Sequence, residues 1–254
     1  MPSPSLESWL DTPQGRYVLS WVKAHCAQEV ADVFGFHALQ VGLPEHNLLA
    51  ANRIPLQIHL GEAKHPNTQL RANPAELPID SQSLDLLILP FVLDFHEDPH
   101  LMLREVERVL RPEGQLLLIG FNPWSAWGLW RGIQRMLFRL FQHPLDFPWQ
   151  GHFLSIPRIR DWLKLLAFEV DRGAFGAYIP PCHSEKAFRR LRWVDLAGNR
   201  WWGFSGGVYL LRAVKRVNGI RLITPWARKT SRSALLSTTP ARNALPKEQA
   251  STHV

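Results

Sequence analysis

One span constrains this chain more than any other: between Leu84 and Phe121 it reads strand, helix, strand. Leu84-Asp85-Leu86-Leu87-Ile88-Leu89-Pro90 is a short apolar run closed by proline, the pattern of a strand buried on both faces. Asp98-Pro99 then offers an N-cap and a first-turn proline, and Met102, Val106, Val109 and Leu110 recur at helical spacing among charged residues. Arg111-Pro112-Glu113-Gly114 makes a turn, and Gln115 to Phe121 is a second wholly apolar strand. A strand, helix, strand unit of this size is a right-handed parallel crossover, so the predicted fold class is α/β, with a Rossmann-like, doubly wound and mostly parallel sheet.

The flanks extend the pattern. Upstream, the sequence predicts a helix over Trp21–Val33 and strands over Ala38–Leu43, Leu56–Leu60 and Thr68–Ala72. Only Gly61 to Asn67 separate the last two, fewer than the dozen residues of an ordinary parallel crossover, which points to an antiparallel hairpin at that edge. Downstream it predicts a helix capped by Ser155 and running through Ala167, a strand over Phe168–Asp171, a short helix carrying Phe188, Leu191 and Val194, and a strand over Val208–Val214. Past Thr224 the composition is polar and basic without periodicity, so the organisation is one domain over 1–223, with a cofactor half near 30–125 and cap elements near 126–223, and a disordered tail over 224–254.

The chain's formal charge is +7 over 254 residues, but Arg212 to Val254 holds nine Lys/Arg against one acidic residue. That stretch carries +8, and seven less eight leaves the preceding residues at −1. The folded part therefore shows no polyanion-binding signature, and nucleic acid is disfavoured as a partner. Cys26 and Cys182 stand apart with no metal-ligand spacing, and neither an export segment nor a long apolar span is seen, so a cytoplasmic location without a metal is expected.

Three motifs in register resemble class I S-adenosylmethionine-dependent methyltransferases of the type 11 group. Asn73-Pro74-Ala75-Glu76-Leu77-Pro78 through Ser83-Leu84-Asp85 resembles D-A-x-x-L-P-F-x-x-x-S-F-D; Phe91 to Phe95 resembles h-h-V-L-E-H; and Leu103 to Gly114 resembles L-x-E-x-x-R-V-L-R-P-G-G. The resemblance implies S-adenosylmethionine as cofactor. Carried over position by position, Asn73 would bond the adenine amino group, Ala75 and Glu76 would frame the ring, and Pro90 would lie beside the cofactor at the end of its strand. Glu62, twenty residues after Gly42, would bond the ribose hydroxyls, unless the hairpin turns it to solvent.

The family's glycine-rich h-h-E-h-G-x-G-x-G falls on Leu39-Gln40-Val41-Gly42-Leu43-Pro44-Glu45-His46, where Gly42 alone is kept. Gln40 replaces the acid that helps to hold the cofactor's ammonium, and Leu43 and Pro44 stand where glycine would admit backbone amides to its methionyl end. Restoring the pattern with Leu43→Cys and Pro44→Gly is expected to tighten binding at little cost in stability.

No catalytic base is singled out; Asp94, His96, Asn122 and His152 lie near strand ends and read equally as caps or loop residues. Gly128 to Gln142 forms a basic amphipathic helix with Arg131, Arg135 and Arg139 at i, i+4, i+8, readable as a solvated lid over the substrate pocket or as contact with a membrane surface or an anionic substrate. Eleven tryptophans, several of them after the second strand, suit packing in a core or cap, or a pocket for a flat or apolar substrate. The expected activity is methyl transfer from S-adenosylmethionine to a small or lipid-like acceptor; the rival is a binding or regulatory module of the same fold that has lost its cofactor. The acceptor and the oligomeric state are not legible.

Overall fold

The computed structural model describes residues 6–61, 65–141, 150–181, 186 and 190–216, which belong to one compact unit. Helices α1 (Leu6–Leu10) and α2 (Pro13–Ala31) precede strands β1 (His37–Val41), β2 (Leu56–Gly61), β3 (Leu70–Arg71) and β4 (Leu84–Pro90). A short helix α3 (Val92–Phe95), helix α4 (Pro99–Val109), strand β5 (Leu110–Phe121) and helices α5 (Ala126–Phe141) and α6 (Ile156–Leu165) follow. Strand β6 (Phe168–Gly176), helix α7 (Arg192–Trp201) and strand β7 (Val208–Lys215) complete the order.

The seven strands form one sheet in the order β3-β2-β1-β4-β5-β7-β6. β1 to β5 run parallel, and β7 lies antiparallel to both β5 and β6. The expected doubly wound class is therefore present. Alternate residues of the central strands feed two cores: Ala38, Leu86, Ile88, Leu117 and Ile119 pack with α1 and α2, while Leu39, Val41, Leu87, Leu89 and Leu118 pack with α4 and α6. Central strands covered on both faces must be apolar throughout, which is why they read as unbroken runs.

The antiparallel hairpin expected between the second and third strands is not formed. β2 and β3 pair in parallel, Leu60 opposite Leu70 and Gly61 opposite Arg71. The rule that a parallel crossover needs a dozen residues assumes that the chain must return along a full strand. Here β3 is two residues long and starts beside the end of β2, so the return is only a residue or two. Gln69 fixes the register: its amide donates to the His59 carbonyl (3.0 Å), and its side-chain oxygen accepts from the His59 amide (2.6 Å).

Other boundaries moved for local reasons. α2 begins at Pro13 rather than Trp21, because Thr12 caps it by accepting from the Gly15 amide and Pro13 fits the first turn. β5 begins at Leu110, since Leu110 pairs with Leu84; the expected turn survives as a register shift, with Glu113 at φ 63°. Asp98 caps α4 through the His100 and Leu101 amides, but Ser155 precedes α6 without a side-chain bond. β6 runs on to Gly176, and α7 covers Arg192–Trp201. Phe188 and the expected tail over 224–254 lie outside the described residues. No described helix is long and apolar enough to cross a membrane.

Candidate functional site

Ligands of an open α/β sheet collect beyond the carboxyl ends of its parallel strands. There β1, adjoining both β2 and β4, delivers Gly42 and Leu43, both in the left-handed region at φ 80° and 50°. The Gly42 amide donates to the Leu60 carbonyl (2.7 Å), and a Cβ on Gly42 would come within 3.2 Å of Val92. The second left-handed residue is a leucine, a conformation that costs a non-glycine residue roughly 1 kcal/mol or more. Its side chain is buried in the α1/α2 core. It therefore occupies core space, and the expected cheap replacement by cysteine is corrected: trimming Leu43 would leave a cavity.

Gln40 explains how a loop with one glycine keeps its shape. Its side chain is fully buried, and Nε2 donates towards the carbonyls of Gly42 (3.1 Å), Leu43 (3.0 Å) and His46 (2.8 Å) while Oε1 accepts from the Leu48 amide (2.8 Å). Three inward carbonyls need a donor, and a carboxylate has none. The loop is held from outside as well, by Asn67 Nδ2 on the Pro44 carbonyl and by His65 beside Glu45.

At the end of β3, Asn73 is exposed and closes a turn: its Oδ1 accepts from the Ala75 amide (3.0 Å) and its carbonyl from the Glu76 amide (2.9 Å). A cleft of about 760 Å³ lies between Arg71, Ala72 and Asn73 on one wall and Phe95, His96 and Glu97 on the other. Pro90 is buried at the end of β4 and leads into Phe91, itself at φ 60°. Glu62 lies outside the described residues.

The motifs that carried the resemblance brace this edge. Glu105 accepts from the Leu77 amide, and Arg108 donates to the Leu77 and Ile79 carbonyls and to Glu105, so the strand-to-strand segment after Asn73 is clamped onto α4. Arg108 holds the Glu105 carboxyl below its usual range. Asp85 accepts from the Phe36 and His37 amides and from Arg111, tying β4 to the start of β1. Burial pushes its carboxyl up, but Arg111 and the two amides outweigh that and leave it low.

The four residues weighed for catalysis part company here. Asp94 is buried, accepts from the Phe121 (2.8 Å) and Leu154 (3.3 Å) amides, and receives the His152 amide on its carbonyl. Burial pushes its carboxyl up to about 8 against the opposing pull of those amides and of Arg131. It ties α3, β5 and the 152–154 segment together. Asn122 is buried too, its amide donating to the Phe204 and Gly206 carbonyls. The His152 side chain is exposed, and only His96 lines the cleft.

A second groove, of about 1060 Å³, runs along the edge strand β6 against α6, and Asn122, Trp124, Phe175 and Phe204 line it towards the carboxyl end of β5. Sequence reasoning missed it because β6 and the chain before β7 are brought together only by the antiparallel end of the sheet. Among the described residues, no group of three or more His, Cys, Asp or Glu is placed to hold a metal.

Residues 34–118 match the family model described as a methyltransferase domain. The uncharacterised protein YafS of Escherichia coli K12 is 32% identical over 165 residues, covering 65% of this chain and 65% of YafS. The malonyl-[acyl-carrier protein] O-methyltransferase of Hahella chejuensis is 30% identical over 111 residues, 41% of this chain and 40% of the relative. The chain thus spans less than two thirds of either relative. Among solved structures, a chain of the Haloferax volcanii complex between the Trm112 methyltransferase activator and a methyltransferase aligns with a TM-score of 0.55 at 16% identity, covering 84% of this chain and 96% of that one.

Proposed function

We propose that this chain, which carries a class I S-adenosylmethionine-dependent methyltransferase domain, moves a methyl group from S-adenosylmethionine to a small or lipid-like acceptor. The observation that carries the reading is the cleft between Arg71–Asn73 and Phe95–Glu97, at the strand ends where the family match lies. In this reading Asn73, Ala75 and Glu76 hold the adenine, Gly42, Leu43 and Gln40 shape the loop beside the methionyl end, Pro90 and Phe91 close the floor, and Glu62 bonds the ribose. The bound cofactor supplies an activated methyl on a sulfonium.

What the chain must then contribute is in-line placement and exclusion of water, with a base needed only for an acceptor that carries a proton. His96 and Glu97 are the imidazole and carboxylate on the cleft wall that could take one, and His96 would do so at the cost of the bond its Nδ1 accepts from the Asp98 amide (3.1 Å). Asp94 acts at one remove, fixing the relative positions of α3 and the end of β5. The β6/α6 groove, with aromatic side chains at its carboxyl-end mouth, suits a flat or apolar acceptor. The family match and the braced loop support an active enzyme over a cofactor-free binding module of the same fold.

Calorimetric titration with S-adenosylmethionine tests this. Binding should be measurable, and Asn73→Ala should weaken it up to about tenfold, since one hydrogen bond and the turn it closes are lost together. No binding by the unaltered chain would refute the reading, and full affinity in Asn73→Ala would remove the adenine assignment.

A further inference from the structure

Helix α5 is inside out. Its first turn is nailed down: Trp127 is buried against Trp9 and Phe121 and donates through Nε1 to the Ile179 carbonyl (2.9 Å), and Ser125 receives the amides of Gly128 and Leu129. Beyond Trp127 no residue of the helix is buried. At about 100° per residue, Leu129, Trp130, Ile133, Met136, Leu137 and Leu140 fall within an arc of about 120°. That arc faces solvent, with Leu129 at 69%, Met136 at 62% and Leu140 at 60% exposure. Arg131, on the opposite side with Trp127, leans on the body with its guanidinium 4.8 Å over the Phe153 ring. A helix packed on a core turns its apolar stripe inward; this one presents it outward.

We propose that α5 docks on an anionic lipid bilayer and brings the methyl acceptor in from it. Sixteen residues lay roughly 24 Å of apolar surface in the plane of a membrane, the span of an interfacial helix rather than of a crossing one. Charge selects the occupant. From Asn122 to Phe141 there are three arginines and no acidic residue. Arg139 stands about 60° outside one edge of the apolar arc, from where its long side chain reaches headgroup phosphates while the arc enters the acyl layer; Arg135, like Arg131, lies on the far side of the helix. A second copy of the helix would offer Arg139 no carboxylate to pair with. Exposure continues past the helix onto Trp124 (78%) and Phe204 (83%), which line the β6/α6 groove beside Asn122. Docking would therefore hold that groove at the lipid surface, and the acceptor class is a membrane-resident amphiphile. This last step rests on the methyltransferase reading; the docking does not.

The test is co-flotation of the full chain with vesicles of phosphatidylcholine alone or mixed with phosphatidylglycerol, and of the double variant Ile133→Glu with Leu140→Glu. The expected result is binding to the mixed vesicles that weakens with salt and falls roughly tenfold or more in the double variant, whose melting temperature stays put because both side chains face water. Absence of binding by the unaltered chain overturns the proposal, as does equal binding by the double variant, which would assign the affinity to charge elsewhere. A dimer in light scattering that the double variant dissolves would also overturn it, making the face a contact between copies. S-adenosylmethionine titration without vesicles reads the catalytic proposal separately.

Discussion

Restoring the family's acid at position 40 should damage this protein. In Gln40→Glu the two Nε2 protons are lost, and a carboxylate would face the carbonyls of Gly42, Leu43 and His46 at a site without solvent. The group escapes by keeping its proton, which restores one donor. Against an unfolded value near 4.3, staying neutral at pH 7 costs about 4 kcal/mol at 1.36 kcal/mol per unit, and the missing second donor adds about 1 kcal/mol. The folded value is raised, so the variant's deficit is smallest below the unfolded value and grows as pH rises towards the folded one. Thermal unfolding of both proteins should therefore show a gap of a few degrees near pH 4.5 that opens to roughly 10–15 °C at pH 7, at about 2–4 °C per kcal/mol for a domain of this size. A gap that is absent at pH 7, or that does not change with pH, would refute the claim that Gln40 is the loop's donor.

Three further outcomes follow from the same geometry. Asp94→Asn should flatten the pH dependence of stability, because the wild-type carboxyl, raised to about 8, favours folding most below its unfolded value and loses that advantage as pH climbs to 8; unfolding in urea from pH 5 to 9 reads the slope, and parallel curves for the two proteins would dismiss the burial argument. Gly42→Ala should cost about 1–2 kcal/mol for its positive φ and the Val92 contact, and weaken S-adenosylmethionine in calorimetry. Leu43→Ala should cost about 2–4 kcal/mol by denaturant titration, the loss of a buried leucine offset only slightly by a smaller side chain at φ 50°.

The central strands and α4 were legible because their signals are local: a fully covered parallel strand is an apolar run, and Asp98-Pro99 is a helix start wherever it falls. The elements misjudged depend on partners distant in sequence. β3 needs the end of β2, Leu110 joins β5 because Leu84 is opposite, and β6 extends because β7 does. Spacing alone carries none of these pairings, so the hairpin argument applied a sound rule to a strand too short for it.

The candidate site was legible in proportion to how far its residues act through sequence neighbours. The edge around Asn73 was legible because Glu105, Arg108, Arg111 and Asp85, which brace it, pair within the matched motifs. In the loop after β1 the scarcity of glycines looked like erosion because sequence cannot show which way a side chain turns. Leu43 spends its bulk in the core, and Gln40 faces three carbonyls rather than a ligand. A glycine-rich loop holds its path by backbone freedom; this one holds a similar left-handed path by one buried amide and one buried leucine. The loop's shape therefore does not depend on the missing glycines, and the pH-dependent cost of Gln40→Glu is where its dependence on Gln40 can be read.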